Sequence, residues 1–362
     1  MRHRLMFISL PLVALFLALR PTALASGKWY VDGVNGSDNN DCKSPQTACK
    51  TIGHAISLAS SGDSIMVAAA TYVENLFIGL SLKLIGSGAK TTIIDGGGAG
   101  RVVTISSTSA HVTLSRFTIR NGGGGISNSG TLAINESTVS GNTVETARAQ
   151  GGGIANSGVL MINNSTISGN TAKGPCFSCS ASGGGIYNSG TVAVNDSTIS
   201  RNTVEAPVQY KGGGIFNGGT LTINNSTISG NSAASGSRGG GIFNNGGNAI
   251  LQNSIVATNS GGNCYGTMTS NGYNLSSDGT CNFNSTGDLN NTDPLLGQLG
   301  NYGGPTQTMP LLSGSPAIDA GNPSGCTDSR GHLLKTDQRG RPRPDKEDSG
   351  GCDMGAFERQ KD

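Results

Sequence analysis

Residues 151–170 read Gly-Gly-Gly-Ile-Ala-Asn-Ser-Gly-Val-Leu-Met-Ile-Asn-Asn-Ser-Thr-Ile-Ser-Gly-Asn. Period-two alternation runs through three short segments: Ile154 and Asn156 around Ala155, Leu160 and Ile162 around Met161, Ser165 and Ile167 around Thr166. Successive side chains of a strand point to opposite faces, so each segment reads as a strand, and none has helical periodicity. The same unit recurs at Gly123–Asn142, Gly183–Asn202 and Gly212–Asn231, with a degraded copy at Gly239–Asn259. Ile126, Ile154, Ile186, Ile215 and Ile242 follow one another at 28, 32, 29 and 27 residues. All the variation lies between the closing Asn and the next glycine run. Insertions confined to one corner belong to a solenoid with loops on one edge.

Three strands joined by Gly and Asn corners make one coil, and coils stacked about 4.8 Å apart make three parallel sheets. The inward side chains are then Ile, Asn, Leu, Ile, Ser and Ile. A buried amide must find hydrogen-bond partners, and identical amides stacked along the axis supply them. Asn128, Asn156, Asn188, Asn217 and Asn244 form one column; Asn142, Asn170, Asn202 and Asn231 form another. Upstream, Val112–Leu114 and Phe117–Ile119 match the second and third strands of the unit, and Ser64–Val67, Leu82–Ile85, Thr92–Asp95 and Val102–Ile105 continue it less regularly. From Thr51 to Ala59, Ile52, Ala55, Ile56 and Ala59 share one helical face, which fits a short helix capping the first coil. The expected fold is all-β: a right-handed parallel β-helix solenoid with three strands per coil, a short N-terminal capping helix and an irregular C-terminal capping segment. Its divisions are an export signal over 1–25, a cap over 26–62, the β-helix over 63–292 with repeats centred on 122–259, and a C-terminal segment over 293–362.

Composition agrees. Gly is 58 of 362 residues, aromatic residues are 5% and charged residues 13%, too few large side chains for one thick core. The periodic Ile, Val and Leu exclude a disordered chain. At the N-terminus Arg2, His3 and Arg4 precede an apolar run from Leu5 to Leu19, and Ala23-Leu24-Ala25 has the small-x-small pattern of a signal-peptidase site. Cleavage is expected after Ala25. The run is short for a membrane span, which needs about 20 residues, and no other segment is a candidate. Losing Arg2, Arg4 and Arg20 leaves 21 basic residues against 22 acidic ones. That balance argues against nucleic acid or an anionic membrane as partner. The expected product is an extracellular or cell-surface monomer.

The eight cysteines fall in four local pairs: Cys42 with Cys49, Cys176 with Cys179, Cys264 with Cys281, and Cys326 with Cys352. In an exported chain these read as disulfides. Cys176-x-x-Cys179 has a zinc-like spacing, but no second such pair or His pair accompanies it.

The stretches Trp29-Tyr-Val-Asp-Gly, Cys49-Lys-Thr-Ile-Gly-His-Ala-Ile, Gly62-Asp-Ser-Ile-Met-Val and Ala70-Thr-Tyr-Val-Glu74 resemble the N-terminal signature of exported bacterial members of the pectin lyase-like β-helix superfamily. The Gly-Gly-Gly-Ile-x-Asn copies are similar to the repeats of polymorphic outer-membrane proteins. Asp293-Pro-Leu-Leu, Asn301-Tyr-Gly-Gly-Pro-Thr-Gln-Thr, Gly314 to Gly321, Asp337-Gln-Arg-Gly-Arg-Pro and Cys352 to Glu358 resemble the choice-of-anchor Q domain of bacterial surface proteins. The resemblance implies the β-helix fold and leaves lyases, hydrolases and adhesins all open.

Few residues on this frame carry chemistry. Glycoside hydrolysis needs two carboxylates, about 6.5–9.5 Å apart for inversion. The corner after the second strand reads Glu136, Asn164, Asp196, Asn225 and Asn253, which puts Glu136 and Asp196 two coils, or about 9.6 Å, apart. Corner polar residues are usually solvated. Asn291-Thr-Asp293 matches a fragment of the polygalacturonase pattern without its accompanying groups. Asp32, Asp38 and Asp41 offer ligands for a structural calcium, or simply line a polar loop; no other cofactor is indicated. His54, His111 and His332 are isolated. Asp337, Arg339, Arg341, Asp353 and Glu358 read as structural ion pairs. Two outward columns suit binding. Tyr187, Phe216 and Phe243 stack as an aromatic column, a surface for sugar rings or a face packed under the C-terminal segment or the corner loops. Thr138/Ser140, Thr166/Ser168, Thr198/Ser200 and Thr227/Ser229 form a flat hydroxyl array reminiscent of β-helical ice binders. The leading reading is a non-catalytic exported protein engaging polysaccharide or another cell-surface component. The alternatives are a polysaccharide lyase or glycoside hydrolase and, more remotely, an ice binder.

Non-reducing peptide mapping of the exported protein should recover Cys42–Cys49, Cys264–Cys281 and Cys326–Cys352; free thiols at those positions would refute the disulfide reading.

Overall fold

Inward amides and isoleucines lock one coil onto the next. In the computed structural model, which describes residues 26–207, 209–233, 238–345 and 351–360, the expected export segment lies outside the described residues. Asn128 Nδ2 donates to Asn156 Oδ1 at 2.7 Å, and the ladder continues through Asn188, Asn217 and Asn244 at 2.9, 2.7 and 2.8 Å. Each amide also reaches backbone: Asn156 Nδ2 donates to the carbonyls of Gly158 and Thr191. The second ladder joins Asn142, Asn170, Asn202 and Asn231, and runs on to Asn259 and Asn263. Between them Ile126, Ile154, Ile186, Ile215 and Ile242 are fully buried and directly in register.

Every pairing between the solenoid strands is parallel, and the chain winds as a right-handed parallel β-helix. The first sheet runs from Leu76–Ile78 through Ile154–Asn156 to Cys264–Tyr265. The second runs from Lys28–Val31 through Val159–Asn163 to Thr269–Ser270, and the third from Ala70–Val73 through Thr166–Ser168 to Leu275–Ser276.

The corner after the second strand holds Glu136, Asn164, Asp196, Asn225 and Asn253 at φ of 44–50°. Asn and Asp tolerate this left-handed conformation best among residues with a side chain. Asn164, which also begins an Asn-Ser-Thr sequon, belongs to this corner and not to an amide ladder. The glycine runs have a different cause. Gly151, at φ 63°, doubles the chain back over the first sheet, where a Cβ would lie 2.2 Å from the Ile154 carbonyl oxygen.

The insertion corner is more ordered than expected. Thr143–Glu145, Thr171–Lys173, Thr203–Glu205 and Ser232–Ala233 pair as a fourth ladder, and Arg148–Gln150, Ser180–Ser182 and Gln209–Lys211 as a fifth. Their apolar side chains, including Val144, Ala172 and Val204, form a small separate core. Loops of similar length on successive coils align their free backbone groups, and those groups pair.

One short helix, α1 (Ile52–Leu58), buries Ile52, Ala55 and Ile56. The Thr51 hydroxyl accepts from His54 N, and the Glu74 carboxylate accepts from Ile52 N and Gly53 N. All four local cysteine pairs are disulfides in the structure, which fits an oxidising compartment. No helix among the described residues is long and apolar enough to cross a membrane.

Ile186→Asp places an unpaired charge in a core one side chain deep and should cost more than about 4 kcal/mol in denaturant unfolding. Asn188→Ala removes one rung and strands the groups it served, and should cost about 1–3 kcal/mol in the same measurement.

Candidate functional site

The outer faces of the first and third sheets carry the groups suited to binding, and the chain treats the two faces differently. On the first sheet Tyr187, Phe216 and Phe243 occupy paired positions. Their rings stack face to face, with centroids 5.0 and 5.7 Å apart and planes within 6°. Tyr265 adds a fourth ring 4.6 Å from Phe243. Cys264 takes the place of the repeated Ile in that coil, which hid Tyr265 from the sequence pattern. The geometry divides the column between the two readings open to it: its middle rings are covered, and its end rings keep free surface. Phe216 and Phe243 spend their faces on each other and are 8% and 6% exposed. The free surfaces belong to the end rings: Tyr265, 37% exposed, and Tyr187, whose outer face looks toward Ala155 on the adjacent strand.

Beyond Tyr187 the column shrinks to Ala155, Ser127 and Thr104, all half-buried, and ends at Phe77, 72% exposed. The result is a shallow floor of small side chains between two aromatic residues. Arg101 lies beside it, donating to the carbonyls of Ile126, Gln150 and Gly151. Burial lowers its pKa to about 10. No carboxylate among the described residues pairs with it, so a positive charge adjoins the floor. Lys211 and Arg238 extend the same face as cations 5.3 Å from the Phe243 and Tyr265 ring centroids.

The third sheet is covered. The hydroxyl array expected to be flat and open is buried in three of its four rows, Thr166, Ser168, Thr198, Ser200, Thr227 and Ser229, and its three buried threonines meet the C-terminal segment. Thr166 Oγ1 donates to the Gln307 carbonyl, Thr198 Oγ1 donates to Gln338 Oε1 at 2.6 Å, and Ala356 N donates to Thr227 Oγ1. Gln338 is the hub, its amide donating to the Ser165 and Gln307 carbonyls and to the Thr166 and Thr306 hydroxyls. The array therefore binds the protein's own tail, and an ice-binding face is overturned. The tail, one of the covers open to the aromatic column, docks instead on the third sheet.

The two corner carboxylates part company. Glu136 is half-exposed and pairs with the exposed Arg116 at 2.9 Å, a contact worth about 1 kcal/mol or less. Asp196, expected to be solvated, is buried against Arg343 at 2.8 Å. Arg343, which sequence reasoning did not single out, also pairs with Glu358 at 2.8 Å and donates to the Gly355 carbonyl. Two carboxylates share one buried guanidinium. Burial outweighs the pull of Arg343 and raises Asp196 to about 7 and Glu358 to about 8. Glu358 Oε1 has no hydrogen-bond partner among the described residues. The expected tail ion pairs include Arg339 with Asp337 at 2.7 Å; the Arg341 backbone N–H also donates to Asp337.

Asp196 and Asp328 line a cavity of about 270 Å³ with Asn163, Asn195 and Arg330. Partial burial works to raise Asp328, but the amides of His332 and Arg330 hold it below the usual carboxylate range. His332, expected to be isolated, lies 3.3 Å from Asp328. Asp32, Asp38 and Asp41 each accept bonds from nearby protein groups: Asp32 from Val34 N and Asn35 N, Asp38 from Lys50 N and Thr51 N, Asp41 from Lys43 N. They do not converge. The group of potential metal ligands that does converge among the described residues, Cys42, Cys49 and His54, has its sulfurs bonded to each other.

No family model matches the chain, and no curated protein matches it. Among solved structures, the chain is similar to pectate lyase Pel9A at 14% identity, covering 93% of this chain and 98% of that one with a TM-score of 0.44. It is similar to the pectin methylesterase from Aspergillus niger at 19% identity, 73% and 91% coverage and a TM-score of 0.40. It is similar to the GH136 lacto-N-biosidase from Eubacterium ramulus at 14% identity, 69% and 56% coverage and a TM-score of 0.33. At these values the likenesses carry no argument about chemistry, and the fold rests on the strand pairing above.

Thr198→Asp, mild if the third sheet were open, should instead release the C-terminal segment, seen as faster proteolysis after Asp293. The raised carboxyls give that docking a pH dependence. Asp196 and Glu358 hold protons more tightly in the folded state than in the unfolded one, so their contribution is complete below about pH 4 and falls as pH rises through about 7 to 8. Tail proteolysis should therefore rise between pH 5 and pH 8.5, and Asp196→Asn, which restores the Asn of neighbouring corners, should flatten the profile.

Proposed function

We propose that this protein is a non-catalytic, exported β-helix that engages an extracellular polysaccharide along the outer face of its first sheet. One observation carries the reading: the half-open floor of Thr104, Ser127 and Ala155, bounded by Phe77 and the free face of Tyr187, with Arg101 alongside. A sugar ring lays its CH-rich face on an aromatic face and turns its hydroxyls to polar neighbours. The third sheet is occupied by the tail, and Phe216 and Phe243 serve as the rigid backing of Tyr187. The four disulfides support export.

The second reading is a glycoside hydrolase using the cavity between corner and tail. The observation that favours it is the pair of carboxyls there, Asp196 raised and Asp328 lowered, since environments that push two carboxyls apart can supply an acid and a base. The salt bridge of Asp196 to Arg343 weighs against it.

A glycan array followed by affinity measurement on the best hit tests the leading reading. Tyr187→Ala should lower affinity at least about tenfold, more than 1 kcal/mol of a stacked ring contact, with the melting temperature little changed, and Tyr187→Phe should restore it. Asp196→Asn and Asp328→Asn should leave binding unaltered. Unchanged affinity in Tyr187→Ala, or a glycan-degrading activity abolished by the carboxyl variants, would overturn the proposal.

A further inference from the structure

Seven of the eight cysteines are buried, at 0–4% exposure; Cys176 is exposed. Its disulfide to Cys179 closes a four-residue loop between the ladder strands Thr171–Lys173 and Ser180–Ser182. This is the insertion that lengthens the Ile154 to Ile186 repeat to 32 residues, where the others have 27–29. A coil therefore closes without it. The two ends of the disulfide also differ. Cys179 is buried, its sulfur accepts from Cys176 N at 3.0 Å, and its own N–H donates to the Cys176 carbonyl. Phe177, at the tip, is 90% exposed, an apolar handle beside the accessible sulfur.

We propose that Cys176–Cys179 is a thiol–disulfide exchange site, attacked at Cys176 by a thiolate donor. Exchange requires access along the S–S axis to one sulfur and a leaving sulfur that holds charge well. Cys176 Sγ offers the access, and the Cys176 N–H stabilises charge on Cys179. The donor thiolate bonds to Cys176 Sγ, the Cys176–Cys179 bond breaks, and its electron pair leaves as the Cys179 thiolate. The product is a mixed disulfide on Cys176. A second donor thiolate then attacks the donor's sulfur in that mixed disulfide and releases the Cys176 thiolate. Two electrons have passed to the protein, and two donors have become one disulfide. The amide ladders and the other disulfides lie elsewhere, so the solenoid stays closed throughout.

The exported protein, titrated with glutathione or with dithiothreitol, quenched with N-ethylmaleimide and peptide-mapped, tests this. Glutathione should place its adduct on Cys176, and dithiothreitol should deliver the free pair, at donor concentrations at least about tenfold below those that open any other disulfide. The melting temperature should hold. Cys179→Ser should accumulate a stable adduct at Cys176 with oxidised glutathione, while Cys176→Ser leaves Cys179 labelled at least about tenfold more slowly. The proposal is overturned if Cys42–Cys49, Cys264–Cys281 or Cys326–Cys352 opens at the same donor concentration, or if the adduct forms at Cys179.

Discussion

The structure depends on the satisfaction of buried amides. A core one side chain deep has no room for water to serve Asn156 or Asn170, so each must find the same residue in the next coil and a carbonyl nearby. That requirement fixes register as firmly as the isoleucines do. A slip by one residue would turn Ile154 outward and leave two ladders unbonded at once. The serines Ser137, Ser165 and Ser197 obey the same rule at the next corner, each hydroxyl accepting from the backbone of the preceding coil and donating within its own.

Exact stacking inside dictates repetition outside, and the outward columns become whatever their side chains make of a strand spacing. Aromatic rings at that spacing stack on one another, which is why Phe216 is rigid and nearly covered. Threonines at that spacing form a row of hydroxyls that another segment of chain can read. The C-terminal segment does so through Gln338 and Thr308, while Thr306 donates to the Asn164 carbonyl beside the row. The first sheet keeps a half-open floor because Ala155 and Ser127 are too small to stack.

Charge is used sparingly and locally. The corner that is Asn in three of its five repeats holds Asp196 where the tail brings Arg343, and the pair with Glu358 anchors the segment to the solenoid. Removing one partner from such a site leaves an uncompensated buried charge. The cavity beside it gains its character from the docking, since Asp328 and Arg330 arrive on the tail while Asn163 and Asn195 come from the second sheet. The Cys176–Cys179 loop is the reverse case: it carries Cys176 and Phe177 out into solvent at the insertion corner.

The repeat by itself determined the stacked coils, the inward residues and both amide columns, because local alternation and stacked buried amides admit one arrangement, while the helical periodicity of Ile52, Ala55, Ile56 and Ala59 marked the capping helix. The cysteine partners were also legible, since each pair lies close in sequence. What the tertiary structure decided lay in contacts between distant segments. Thr198 reads as an ordinary outward strand residue until Gln338 covers it. Asp196 reads as a solvated corner until Arg343 reaches it from 147 residues away. Tyr265 and Phe77 sit on degraded or irregular copies whose register no period announces. The C-terminal segment has no periodicity, so its docking face follows from shape and hydrogen-bond complementarity, which exist only once both surfaces are folded.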